Sequence, residues 1–136
     1  MDRAALEAFL AREFPQVAGD FAVEEVRPMG VRMRLRVGEK NLRPGGTVSG
    51  PAMFALADVS VYLAILAMIG PEALSVTTNC AIDFMRKPAA DRDVIAEARL
   101  LKLGRALAVG DVLMWSEGGA DPVARASLTY SIPPRR

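Results

Sequence analysis

The sequence predicts an α+β domain in which an antiparallel sheet of about six strands wraps one long central helix, with a short helix at the N-terminus. Three observations carry this prediction. Residues 51–69 form an apolar stretch interrupted only by Asp58, Ser60 and Tyr62. Residues 31–37 alternate between apolar side chains and arginine. Four strand-like runs then follow the apolar stretch, separated by short breaks, as in an antiparallel meander.

In chain order, residues 2–14 carry Leu6, Phe9, Leu10 and Phe14 near helical spacing, and Pro15 stops that run. Phe21, Val23 and Val26 suggest a first strand ending near Pro28. In the second strand Val31, Met33, Leu35 and Val37 share one face, while Arg32, Arg34 and Arg36 share the other. That cationic face suits either phosphates or solvent, and a solvated face with snorkelling stems is the commoner use of such a row. Residues 38–50 form a loop containing Pro44, Gly45, Gly46 and Gly50.

Pro51 suits the first turn of the long helix, where no backbone N–H is needed, and Gly70-Pro71 ends it. Its length approaches the ~20 residues of a membrane span. Asp58, the many alanines and the surrounding strand pattern instead predict a helix buried in protein. The later strands fall at residues 76–85, 94–103, 106–115 and 123–132. Turn chemistry separates them at residues 88–91, at Gly104 and at residues 118–122. One sheet cannot cover a helix that is apolar on every side, so a second copy of the chain is expected over the remainder, giving a dimer or tetramer.

Composition closes several function classes. The 136 residues suit a single domain spanning 1–136, and 51% hydrophobic content excludes disorder. A net charge of +1 offers no broad field for nucleic acid or an anionic membrane. Histidine is absent, which excludes Ser-His-Asp and Cys-His catalysis and histidine-ligated metals. The lone Cys80 can form neither an internal disulfide nor a multi-cysteine zinc site, and it reads as a small buried residue. Charges occupy the N-terminal residues where a signal peptide needs an apolar stretch, so a cytoplasmic location is expected, with no metal or cofactor.

Asp58 is the foremost chemical candidate. A carboxylate set in Met53-Phe54-Ala55-Leu56-Ala57-Asp58-Val59 must be paired, protonated or placed at a cavity. The segment Gly45-Gly46-Thr47-Val48-Ser49-Gly50-Pro51 leads into the same helix, whose free N–H groups can polarise a carbonyl oxygen. It lacks the Lys-Ser/Thr ending of a nucleotide-binding loop. Met53, Phe54, Val61 and Tyr62 are candidates to line an apolar pocket, although core packing is the commoner role for such residues. Phe84, Trp115 and Tyr130 read most simply as core or interface.

These segments, with the strand from Thr77 to Pro88, Gly104-Arg105 and the stretch from Ala124 to Tyr130, resemble hotdog-fold acyl-CoA thioesterases. The similarity is to the phenylacetic-acid-pathway type within the 4-hydroxybenzoyl-CoA thioesterase superfamily, and it runs from Val23 to the end. It implies the hotdog fold and hydrolysis of an acyl-CoA to free acid and coenzyme A. It also implies no cofactor beyond the coenzyme A of the substrate, and sites built from both protomers of a dimer. By this resemblance Asp58 is the catalytic carboxylate, acting as general base on water or as nucleophile. The Gly50 N–H polarises the thioester carbonyl. Thr77, or Thr78 with a one-residue shift, holds the attacking water.

Asn41 corresponds to a loop asparagine of the relatives, with extra residues at Arg43-Pro44. Arg86-Lys87 and Arg135-Arg136 are candidates for the phosphates of coenzyme A, against the plainer role of solvated charges. Two departures matter: Ser49 replaces the family histidine, and Pro51 replaces its second glycine. Ser49 can keep a hydrogen bond to substrate or loop but cannot donate as an imidazole does. The alternative is therefore a hotdog module that binds an acyl-CoA or another apolar ligand without turnover. The missing histidine also argues against hotdog dehydratases and hydratases.

Overall fold

Helix α1 (Arg3–Glu13) begins where the Asp2 carboxylate accepts a hydrogen bond from the Ala5 amide at 2.8 Å, and it buries Leu6, Phe9 and Leu10. The computed structural model describes residues 1–134; Arg135 and Arg136, named above as candidates for phosphate contact, lie outside the described residues. A short 3-10 turn leads into the antiparallel hairpin of β1 (Phe21–Arg27) and β2 (Gly30–Leu35). The loop that follows carries a second 3-10 turn (Glu39–Asn41) and a small ladder of β3 (Leu42–Arg43) with β4 (Thr47–Val48). Gly45 and Gly46 close that ladder at φ 101° and 75°, backbone angles that side chains strongly disfavour.

Helix α2 (Gly50–Ile69) comes next, then β5 (Val76–Phe84), β6 (Val94–Leu103), β7 (Leu107–Ser116) and β8 (Ala124–Ser131). The main sheet has six strands in the order β1-β2-β6-β7-β8-β5, each pair antiparallel. The expected α+β hotdog architecture is thus observed, with strand ends shifted by one or two residues. β2 stops at Leu35 rather than Val37, because the Val37 amide donates to the Asp93 carboxylate instead of to a strand.

Helix α2 packs on the inner face of β2, β6 and β7. Leu56, Val61, Leu63, Ile65 and Leu66 lose all solvent contact there, worth roughly 1.5–3 kcal/mol for each such side chain. The helix has the length and mean hydropathy, 2.2, of a membrane span, yet 56% of its apolar window is buried inside the protein. Residues 60–66 are buried without a second chain, so the helix is not bare on all sides beyond the sheet. What remains open is a stripe along its first half, Pro51, Phe54, Ala55, Asp58 and Val59, and Met68 near its end.

Two glycines permit close approaches, one between helix and sheet and one between neighbouring strands. A Cβ on Gly110 would sit 3.2 Å from both methyls of Val61 on α2. At Gly30 it would lie 2.9 Å from the Ala98 carbonyl oxygen on the neighbouring strand, where backbone must move to admit it. Gly30→Ala is expected to lower unfolding stability by about 1–3 kcal/mol, read as a drop in the urea midpoint at unchanged slope.

The arginine row of β2 is taken up by protein groups. Arg34 meets Glu24, Asp93 and Glu117, and it holds the Glu117 carboxyl below the ordinary carboxylate range. Arg32 pairs with Glu97 at 2.9 Å, and Arg36 donates to the carbonyls of Gly19 and Phe21. The solvated-face expectation is thereby refined into an ion-pair lattice. At the sheet edges α1 packs on β1, whereas β5 is largely exposed, Val76 at 54% and Phe84 at 51%.

Candidate active site

Asp58 projects from the third turn of α2, half-buried, toward the end of the sheet where β5 pairs with β8. Thr77 on β5 and Tyr130 on β8 stand opposite each other in that ladder. Both hydroxyls donate to the same carboxylate oxygen: Thr77 Oγ1 lies 2.5 Å and Tyr130 Oη 2.6 Å from Asp58 Oδ1. The Tyr130 hydroxyl is also 3.0 Å from the Asp58 backbone oxygen. Among the described residues no hydrogen bond reaches Oδ2. Asp58 opens on a cleft of about 250 Å³ whose walls include Phe21, Leu35, Asn41, Phe54 and Val59.

Thr77 and not Thr78 therefore meets the acid. A register shift between Thr77 and Asn79 makes Thr78 the extra residue of a bulge, exposed, with its hydroxyl 3.3 Å from the Thr129 carbonyl. Burial, and next the Asp58 charge, push the Tyr130 phenol above its ordinary range. The same two causes raise the Cys80 thiol, which makes it a poor nucleophile. Burial pushes the neighbouring Tyr62 phenol up to about 12, with Glu13 adding to the shift.

The start of α2 is built differently. Ser49 is its N-cap, its hydroxyl oxygen accepting from the Ala52 amide at 3.3 Å. Gly50 opens the helix, where first-turn amides have no intrahelical acceptor. The Phe84 ring lies so close that a Cβ on Gly50 would sit 3.3 Å from it. Asn41 is buried; its Oδ1 accepts from Gly38, and its carbonyl accepts the Ser49 amide at 2.7 Å, which ties the loop to the helix start.

Other candidates separate clearly. Of the four helix residues offered as pocket lining, only Phe54 borders the cleft, while Met53, Val61 and Tyr62 are core. Arg86 and Lys87 lie exposed just beyond β5, with the Arg86 guanidinium donating to the Pro122 carbonyl at 2.8 Å. Sequence reasoning missed Tyr130 as a site residue; the available signal is a hydroxyl-bearing residue on the buried face of a strand. Among the described residues no cluster of His, Cys, Asp or Glu is arranged to hold a metal ion.

An antiparallel sheet wrapped on a helix, with an acid of that helix reaching a hydroxyl on the edge strand, defines a hotdog domain of thioesterase type. The chain belongs to the thioesterase superfamily, which matches residues 45–123. That interval holds Ser49, Gly50, Asp58, Thr77, Thr78, Arg86 and Lys87, but neither Asn41 nor Tyr130. Superfamily membership defines the chain as a thioester hydrolase.

Among solved structures, a candidate thioesterase from Silicibacter sp. TM1040 is 59% identical, with TM-score 0.92, covering 98% of this chain and 93% of that one. The phenylacetic acid degradation protein PaaI of Thermus thermophilus is 27% identical, with TM-score 0.75, over 88% of this chain and 99% of the other. A hypothetical thioesterase from Streptococcus pneumoniae TIGR4, crystallised with coenzyme A, shares the fold at TM-score 0.80 and 21% identity, over 97% and 99% of the two chains. No curated protein sequence matches the chain.

Proposed function

We propose that the protein hydrolyses acyl-CoA thioesters to a free acid and coenzyme A, with Asp58 as general base or nucleophile. The observation that carries this is the division of labour on one carboxylate at the cleft: Oδ1 is held by Thr77 and Tyr130, and among the described residues Oδ2 has no protein donor. As a base, Oδ2 takes a proton from water while the water oxygen adds to the thioester carbon. The carbon–sulfur bond then breaks, and the thiolate of coenzyme A leaves and is protonated. As a nucleophile, Oδ2 itself adds to that carbon, expelling the thiolate and leaving an anhydride that water opens. Arg86 and Lys87 are suited to the phosphates of coenzyme A.

The carbonyl oxygen needs a donor, and in this proposal the Gly50 N–H supplies it from a second chain. Asp58 lies eight positions beyond Gly50 on α2, a rise of about 12 Å, too far for one thioester group to touch both. Pairing through the exposed edge β5 would set the helix start of one protomer beside the Asp58 of another. A homodimer, a cytoplasmic location and a reaction without added cofactor belong to this proposal.

Gly50→Pro removes that N–H and suits the extended backbone of Ser49 (φ −73°, ψ 155°), the conformation a residue before proline adopts, while its added carbons require the half-exposed Phe84 ring, 3.3 Å from the new Cβ, to give by a few tenths of an ångström. It is expected to cost about 10²–10³ in kcat, the effect of losing one oxyanion donor, with the melting temperature little changed.

Free-thiol release from a panel of aliphatic and aromatic acyl-CoAs tests the activity. A second reading, acyl-CoA binding without turnover, is favoured by one observation: Ser49, in the place of the family histidine, caps the helix rather than facing substrate. Acyl-CoAs that raise the melting temperature but release no thiol would establish it instead.

A further inference from the structure

We propose that Tyr130 is a positioning residue for the reaction, its phenol holding the Asp58 carboxylate by Oδ1 so that Oδ2 alone meets the thioester. This rests on the thioesterase proposal above. The phenol lies 3.0 Å from the Asp58 backbone oxygen and 2.6 Å from Oδ1, so it spans the side-chain torsions that otherwise let a helix-borne carboxylate rotate. The ring is itself fixed. It is buried on β8 and packs on Tyr62 at 6.0 Å between centroids, and Phe14 braces Tyr62 edge-on at 5.7 Å.

Thr77 reaches the same oxygen from the opposite strand. Each hydroxyl has one proton, and both are directed to Asp58, so toward a water Thr77 acts as an acceptor. The titratable and charged groups around the carboxylate are Tyr62 on α2, Cys80 on β5, Tyr130 itself on β8 and Asp20 across the cleft, with Glu13 of α1 behind Tyr62. The one cation near this group, Lys40, is paired with Asp20 at 2.6 Å, and among the described residues no ion pair reaches Asp58, so hydroxyl donors are what hold the carboxylate.

Tyr130→Phe removes one oxygen and keeps the ring. Loss of a hydrogen bond to a charged group is expected to lower kcat about 10- to 100-fold, with KM unchanged. A folded variant that keeps the wild-type kcat overturns the proposal. So does a fall in kcat accompanied by a raised KM and a lowered melting temperature, which marks a structural role.

Carboxyl 13C NMR of aspartate-labelled protein at one pH reports the hydrogen bonding of the carboxylate without needing turnover, with Asp58→Asn assigning the signal. The signal is expected to shift in Tyr130→Phe relative to wild type. 3-Fluorotyrosine at position 130 keeps the fold and donates more strongly, so it is expected to move the signal the opposite way and to keep kcat near wild type. A wild type without turnover removes the thioesterase proposal. An Asp58 signal that does not move in either variant removes the role of Tyr130, whatever the turnover.

Discussion

Asp58→Asn is expected to lower kcat/KM by about 10²–10⁴, the range for losing a general base, while the fold survives. Asparagine has the same shape, and its amide oxygen can still accept from Thr77 and Tyr130 in the place of Oδ1. What changes is the other position, where an oxygen able to take a proton or attack carbon becomes an NH2 group that can do neither. Thiol release would show the loss, and circular dichroism with gel filtration would show that the protein is otherwise intact. A structural carboxylate gives the reverse pattern, with hydrolysis kept and the melting temperature shifted.

The second large effect concerns the edge strand. Ala81 is exposed in the middle of β5. Ala81→Arg leaves the single chain without a clash but sets like charges against each other if two β5 strands pair about a two-fold axis. Gel filtration is expected to report a species near the 14.6 kDa of one chain, and turnover is expected to vanish although Asp58 and Gly50 are both unaltered. Co-expression gives the positive counterpart. Chains bearing Asp58→Asn and chains bearing Gly50→Pro are each impaired alone, but a dimer of one with the other has one site with both groups intact. Random pairing then restores about a quarter of wild-type sites. A site assembled within one chain would restore none, so absence of rescue would refute the shared site.

How much of this was legible in the sequence depended on whether a residue's role follows from local spacing. The long helix, the strands and the acid in the helix were readable because an apolar run, a period of two and one carboxylate among hydrophobes are local patterns. Which face of α2 looks on the cleft was not readable. A helix apolar all round has no periodicity to mark a side, and Met53, Val61 and Tyr62 went to the core while Phe54 faced out. Thr77 could not be separated from Thr78, because the bulge between Thr77 and Asn79 breaks the alternation that strand counting relies on. Tyr130 lies 72 residues from Asp58, and only the folded sheet brings that phenol to the acid. The cationic row looked free because its carboxylates, Glu24, Asp93, Glu97 and Glu117, arrive from other strands and turns.

That ion-pair lattice also bears on how substrate arrives. The proposed acyl-CoA substrate is a polyanion, and an open arginine face would draw it in by long-range attraction, accelerating encounter at low salt. With Arg32 and Arg34 neutralised on the sheet and the net charge at +1, the protein projects no such field. Capture of that proposed substrate is then expected to fall to short-range contact at the mouth of the cleft and with the exposed Arg86 and Lys87, and the association rate is expected to depend little on ionic strength.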